Sequence, residues 1–435
     1  MQTTERNGIR ITTDQLAEPK NGKFLQAFPA LQHRNFRLFW SGQLISLIGT
    51  WMQTTGQSWL VLQLTHNSLA LGTVGALQFL PVLLFTLFGG VLADKLPKRR
   101  VLLSTQTFAC ILATILFVLY VTHTVQIWHI YVLAFLLGVN NSLDMPTRQS
   151  FVVEMVGREA LGNAVALNSS VFNMAKIVGP GVAGLIIARF GEGPLFLSNA
   201  ISFIPVLISL LLLDTSKLFA GKRQTTAEPV GPIKSLHEGL RYVWQTPAIF
   251  LIVAVVGVVS LFGVNFNVVE PLVSTDLLHQ GAQGFGLLSS SFGVGALIGA
   301  LTIATGHKNP SFKKMLTYAA FFCVGLGAVG LSHNYLLSLV IAMVTGFCMI
   351  TFTAAANTTL QTVAPDHLRG RVMSVYMLVF AGSTPIGNLF TGWMAGLVGI
   401  SLTLIVNAVI SLVAVIVGWF KRENAEKNLQ QVFLK

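Results

Sequence analysis

Apolar runs of about 20 residues, parted by Gly, Pro or charge, recur along the whole chain, each long enough to cross a hydrocarbon layer about 30 Å thick as one helix. Twelve stand out, with cores at 36–64, 71–93, 101–121, 128–141, 161–188, 194–213, 248–269, 285–305, 315–332, 335–355, 372–398 and 401–420. The fourth is short, with a continuation through Asn141 to Met145. A polar stretch divides the sixth run from the seventh, and its Gly221, Pro229, Gly231 and Pro232 read as a linker. Within it, Ser235 to Trp244 has the pattern of a short amphipathic helix on a membrane surface.

Composition turns the pattern into a class. With 53% hydrophobic and 10% charged residues, a soluble core would lack polar covering, so the expectation is an all-α polytopic membrane protein. A net charge of +12 in a soluble chain would suggest nucleic acid. Here the bases fall between the apolar runs, and membrane topology accounts for them without any nucleic acid. All of the 28 Lys and Arg except Lys176 and Arg189 fall on one side when the amino terminus is cytoplasmic. That bias places both termini in the cytoplasm of a cell inner (plasma) membrane protein, with no signal peptide pattern ahead of the first run. Cys110, Cys323 and Cys348 all lie in apolar runs, which suits small core residues and neither disulfides nor metal. No cofactor pattern is present.

The chain also repeats. At an offset of 214 residues Gly72 falls on Gly286 and Arg99-Arg100 on Lys313-Lys314, with Lys308 opposite Asp94. At an offset of 208, Gly138, Gly162, Gly179 and Gly184 fall on Gly346, Gly370, Gly387 and Gly392. Twelve transmembrane helices in two six-helix halves follow. The boundaries are a tail at 1–35, a first half at 36–213, a linker at 214–247, a second half at 248–420 and a tail at 421–435.

The second run ends on Gly89-Gly90-Val91-Leu92-Ala93-Asp94-Lys95-Leu96-Pro97-Lys98-Arg99-Arg100. This resembles the signature loop between helices 2 and 3 of the major facilitator superfamily, roughly G-x-L-A-D-R-x-G-R-R. Gly90, Leu92, Ala93, Asp94, Lys95, Lys98 and Arg99 fill its key places, with Pro97 where the family has its second glycine. The resemblance implies the major facilitator fold and a cytoplasmic latch, in which Asp94 docks at the start of helix 11 near Arg369 and Lys98 pairs with Asp144. Arg148 and Glu154 belong to the same inner gate. The residues by themselves leave a second reading open, bases that anchor helix ends and ion pairs worth about 0–1 kcal/mol each.

In the fifth run, Gly179, Pro180 and Gly184 resemble the antiporter motif of exporters in that superfamily, while Asn388 stands where the repeat partner of Pro180 falls. Tight helix packing is the alternative. Ser58-Trp59-Leu60-Val61-Leu62 and Asp144-Met145-Pro146-Thr147-Arg148-Gln149 add a resemblance to the drug:proton antiporter subgroup that holds enterobactin exporters and macrolide efflux proteins. Against proton coupling, Ala134 stands where many proton antiporters carry arginine.

Lys176, a base within a span, is a candidate for substrate or for a proton-linked acid, or else an amine that snorkels to an interface. Glu270 before Pro271 is the acid best placed for proton exchange, or an interfacial charge beside Asp276. The polar first run (Gln43, Thr50, Gln53, Gln57), with Asn140, Asn141, Asn265 and Asn357, is expected to line a water-filled cavity, or to bond between helices. Trp51, Trp59, Phe79 and Phe266 supply apolar walls. The function implied is a secondary active exporter of an amphipathic organic compound, drug or siderophore, with protons as coupling ion and the lipid bilayer as its setting. The alternatives are an importer or facilitator of a small metabolite and, from another class, a membrane enzyme or lipid scrambler. No nucleophile and base share a membrane depth, which argues against an enzyme.

Overall fold

The computed structural model describes residues 28–219, 232–305, 311–365 and 368–433. The expectations for most of the amino-terminal tail, the middle of the linker, Lys308 and the last two residues lie outside the described residues, as does the side chain of Asp94.

Six helices, α1 (Arg34–Thr65), α2 (Ser68–Lys95), α3 (Lys98–Val121), α4 (Ile127–Val156), α5 (Leu161–Phe190) and α6 (Gly193–Leu211), pack into an amino-terminal bundle. A bridging helix (Pro232–Gln245) leads to α7 (Pro247–Leu277), α8 (Ala282–Thr305), α9 (Phe312–Leu331), α10 (Tyr335–Val363), α11 (369–398) and α12 (400–433), which pack into a carboxyl-terminal bundle. Only Gly399 separates the last two, and its φ of 80° belongs to the left-handed region that glycine enters at no steric cost. The α1–α2 turn is one residue longer. His66 ends α1 in the left-handed conformation, and the Asn67 side chain caps α2 by accepting from the Leu69 N–H at 2.8 Å. Among the described residues, nine segments are long and apolar enough to cross a membrane, the last of them, Arg369–Glu423, holding α11 and part of α12. The fold is that of an all-α polytopic membrane protein.

Four helices depart from the hydropathy reading, α10 by running past Ala355 to Val363. α4 does not stop near Met145 but runs to Val156, because Asn140, Ser142, Asp144 and Thr147 are buried against neighbouring helices instead of meeting water. α12 continues past Phe420 to Phe433 as a polar helix. α7 breaks at Val264 and Asn265, whose ψ values of 47° and 42° leave the helical region, before resuming as Phe266–Leu272 and a π-helical turn, Val273–Leu277. The bridging helix contains the expected amphipathic stretch and is tied to the start of α11 by Glu238 and Arg371 at 2.6 Å.

Two helix pairs make most of the contact between the bundles, α2 with α11 and α5 with α8. Both close on glycine. A Cβ added to Gly392 would lie 3.1 Å from the Cα of Gly72, and one added to Gly184 would lie 3.0 Å from the Cα of Gly286. These are the four glycines paired by the sequence offsets, so one contact is made twice with the bundles exchanged. Within the bundles the relation persists, since Gly138 of α4 faces the Gln78 carbonyl and Gly346 of α10 faces the Phe292 carbonyl, 214 residues further on. Call the end that carries the chain termini the terminal end and the other the distal end. Of the cross-bundle approaches at glycines, the ones nearest the terminal end are Leu83 on Gly382 and Ile177 on Gly293, both at mid-helix.

Candidate functional site

Pro180 has no N–H to give the carbonyl of Lys176, one turn back in α5. Beside this irregularity the Ser290 hydroxyl of α8 donates to the Ile177 carbonyl at 2.7 Å, so α5 and α8 are bonded where their backbones come close. Gly179 of the same motif packs against Trp51 of α1, where an added Cβ would come within 2.5 Å of the Trp51 Cβ. Gly179, Pro180 and Gly184 therefore bring three helices from both bundles to one place.

At that place the Lys176 ammonium lies 5.3 Å from the ring centroid of Phe292 and 5.8 Å from that of Trp51, within reach of both π faces. Phe172 meets Trp51 edge-on at 5.7 Å, and Phe266 stands 4.1 Å from Phe292. Glu270, on the distal part of α7, accepts a hydrogen bond from Ser289 of α8 and interacts electrostatically with Lys176. The two charges, read from sequence as separate candidates, belong to opposite bundles and one neighbourhood. Glu270 also borders a small apolar cavity of about 30 Å³, room for a water, with Phe266, Phe292 and Leu326 in its wall. Sequence reading passed over Ser289 and Phe292. The signal was there, as the run Ser289-Ser290-Ser291 inside an apolar helix.

The other polar candidates divide. Gln53 accepts from Asn199 of α6 at 2.7 Å, and Gln43 accepts from Arg148, so both bond between helices. Thr50 donates to the Ser46 carbonyl of its own helix at 2.9 Å. Gln57 and Asn140 are buried, and Asn141 is half-buried. Asn357 accepts from Gln361 at 2.5 Å. Asn265 is buried in the carboxyl-terminal bundle, bonded to Thr391 at 3.1 Å.

At the terminal end the pairing of Lys98 with Asp144 is not made. Asp144 is filled by Thr105 at 2.6 Å, Gln106 at 2.8 Å and Arg148 at 2.6 and 2.9 Å, while Lys98 pairs with Glu154. The reason is depth. Lys98 opens α3, whereas Asp144 is level with Thr105, about 10 Å further along the helix axis. Arg99 caps α6, donating to the carbonyls of Leu210 and Leu211 at 2.7 Å each. Gly90 has open space around it, and Arg369 donates to the Gln361 carbonyl at 2.8 Å.

The distal end is shut. Trp59 of α1 stacks on Phe285 of α8 with centroids 6.1 Å apart, and Ser68 of α2 donates to the Gly392 carbonyl at 2.8 Å. A buried acid absent from the sequence reading holds the indole. Glu192 accepts from the Tyr120 hydroxyl at 2.7 Å, and with the Gln63 amide turned so that its nitrogen meets the acid, Glu192 accepts from it at 3.0 Å and the Gln63 oxygen accepts from the Trp59 N–H at 2.8 Å. Following Gly191 at a helix boundary, Glu192 reads in sequence as a surface charge.

The sequence profile described as transmembrane secretion effector matches residues 25–432. The chain is 25% identical to the Staphyloferrin A transporter of Staphylococcus aureus over 91% of its own length and 98% of that protein's. It is 30% identical to the multidrug efflux pump Tap of Mycolicibacterium fortuitum, covering 85% of this chain and 91% of that one. In structure it is similar to a bacterial homologue of the lysosomal transporter Spinster in an inward-facing conformation (TM-score 0.67, 11% identity, 94% of this chain and 99% of that one). It is likewise similar to the POT family transporter PepTSo (TM-score 0.70, 13% identity, 91% and 99%).

Proposed function

Because the chain belongs to the transmembrane secretion effector family, within the major facilitator transporters, and is a transporter and not an enzyme, we propose that it exports an amphipathic organic compound, of drug or siderophore type, across the plasma membrane by alternating access, with protons returning inward. In this reading all of α1–α12 cross the membrane in two six-helix halves, and both termini are cytoplasmic. The shut distal end then corresponds to a cavity open to the cytoplasm.

One observation carries the reading. Lys176 and Glu270 interact electrostatically from opposite bundles among Trp51, Phe266 and Phe292. Aromatic walls take the apolar body of a substrate, and a single cation takes an anionic group on it. The acid supplies a proton site. With Glu270 ionised, its attraction to Lys176 draws the bundles together; a proton on Glu270 removes that attraction and leaves Lys176 to the substrate. Each ligand then shifts the equilibrium by its own difference in affinity for the two states. The names of the relatives, a siderophore transporter and a multidrug efflux pump, fit such a cargo.

Inverted vesicles with an imposed proton gradient test it. Substrate uptake that collapses with the gradient and is lost in Glu270→Gln is the expected result. Uptake that ignores the gradient removes the antiport claim. Facilitated import by the same cavity is the second reading, favoured by Ala134 where many proton antiporters have arginine. Overexpression separates the two, since export protects cells from a toxic substrate and import sensitises them.

A further inference from the structure

Inside the carboxyl-terminal bundle a second polar centre lies where α7, α11 and α12 meet. Ser260 and Asn265 come from α7, Asn388 and Thr391 from α11, Asn407 and Ser411 from α12, and none is more than 1% exposed. The Thr391 hydroxyl oxygen accepts from the Asn265 amide at 3.1 Å and from the Asn407 amide at 3.3 Å, so side chains of three helices converge on one atom. Asn265 also donates to the Leu261 carbonyl at 2.8 Å, which can only accept, and this fixes its amide with the oxygen pointing elsewhere. The Oδ1 atoms of Asn265 and Asn407, the hydroxyls of Ser260 and Ser411, and both polar atoms of Asn388 are buried without a protein partner. Helix register puts these groups at one level. Gly418 of α12 packs on Val255 of α7, and the two helices run in opposite directions, so Ser411 comes level with the turn of Ser260 and Asn407 with Asn265.

The break in α7 falls at the same point. The segment Pro247–Gly263 ends there, about midway through a 31-residue span, and the last carbonyls of a helix lack helical N–H partners and carry the negative end of its dipole. Uncharged oxygens from hydroxyls, amides and the end of a broken helix at mid-membrane suit a monovalent cation. The set holds no carboxylate to balance a divalent ion and no thiolate or imidazole for a transition metal. We propose that this junction is a sodium site, with the amide oxygens of Asn265 and Asn407 and the hydroxyls of Ser260 and Ser411 as its side-chain ligands and Thr391 orienting the two amides from their nitrogen ends.

The site shares none of its ligands with the neighbourhood of Lys176 and Glu270, although Asn265 stands five residues before Glu270 on α7, and it does not depend on the direction of transport or on proton coupling. Asn388 connects it to the rest of the molecule, since its amide and backbone carbonyl press on Gly75 and Gly72 of α2, and occupancy would bear on the α2–α11 joint.

The purified full-length protein in nanodiscs is tested with radioactive sodium and by thermal unfolding in sodium, potassium or choline chloride at equal ionic strength. The expected result is saturable sodium binding and a rise in unfolding temperature with sodium alone. Ser260→Ala and Ser411→Ala, close in size to the residues replaced, should each weaken sodium on the order of tenfold. Absence of saturable binding to the unaltered protein, an equal response to potassium, or an undiminished sodium response in both variants overturns the site. The first of these measurements needs no variant to fold.

Discussion

Asp144 and Lys98 show how differently two charges at one end of a bundle are valued. Asp144 is buried and takes four hydrogen bonds from Thr105, Gln106 and Arg148. Asp144→Ala strands the Arg148 guanidinium, and its thermal unfolding in detergent should report a loss of about 3 kcal/mol. Lys98→Ala breaks a pair nearer water and should cost about 0–1 kcal/mol in the same assay. Asp94→Asn is expected to slow transport with substrate binding retained, and an unchanged rate removes Asp94 from the latch. Sequence alone named Asp144, Arg148, Lys176 and Glu270, because charge inside or beside an apolar run is conspicuous. It misassigned the partner of Lys98, since depth along two antiparallel helices depends on where each begins. Glu192 escaped because burial of a boundary residue depends on Tyr120 and Gln63, which are remote in sequence.

At the scale of helices, the contacts between bundles are backbone contacts made possible by missing side chains. Gly286→Val pushes a branched side chain into the Pro180 carbonyl and Gly184, and Gly72→Val does the same at Asn388 and Gly392. Each should cost about 1–3 kcal/mol in the distal-closed state through overpacking. Distal cysteine pairs placed on α5 and α8 should then cross-link more slowly in Gly286→Val than in its parent, and unchanged cross-linking would show that the joint is not tight. Eight of the expected helices were legible to within a few residues of their ends from hydropathy, while α7 and α10 each run eight residues past their expected ends. α4 and α12 ran longer because a helix ends where capping and packing end, and buried polar residues on α4 obscure that point. The break in α7 had a faint sign, Asn265 and Asn267 before Pro271, which alternatives in the sequence left unread.

At the scale of the whole molecule, the glycines that carry the sequence repeat lie on the helices that touch. Offsets of 214 and 208 residues pick out Gly72, Gly286, Gly184 and Gly392, and the fold sets the first against the fourth and the second against the third. What the offsets leave out is chemistry, for Lys176 and Glu270 have no such duplicates. Closure of the distal end also has an intrinsic optical reporter. Trp59 lies against Phe285 across the bundles, so a variant retaining Trp59 as sole tryptophan should change emission when substrate opens that end, and Glu192→Gln, which loosens the Gln63 relay, should blunt the change.

The doubled glycine joint has a consequence for ancestry and assembly. A surface that meets its own copy after the bundles are exchanged is self-complementary, and a chain of half the length would carry everything needed to dimerise through it. Duplication and fusion of such a gene would yield this molecule, after which Asp94, Lys176 and Glu270 were free to diverge in one copy. Two polypeptides, 1–225 and 226–435, made together in one cell should therefore recover each other and copurify, and Gly184→Val in the first should abolish their association.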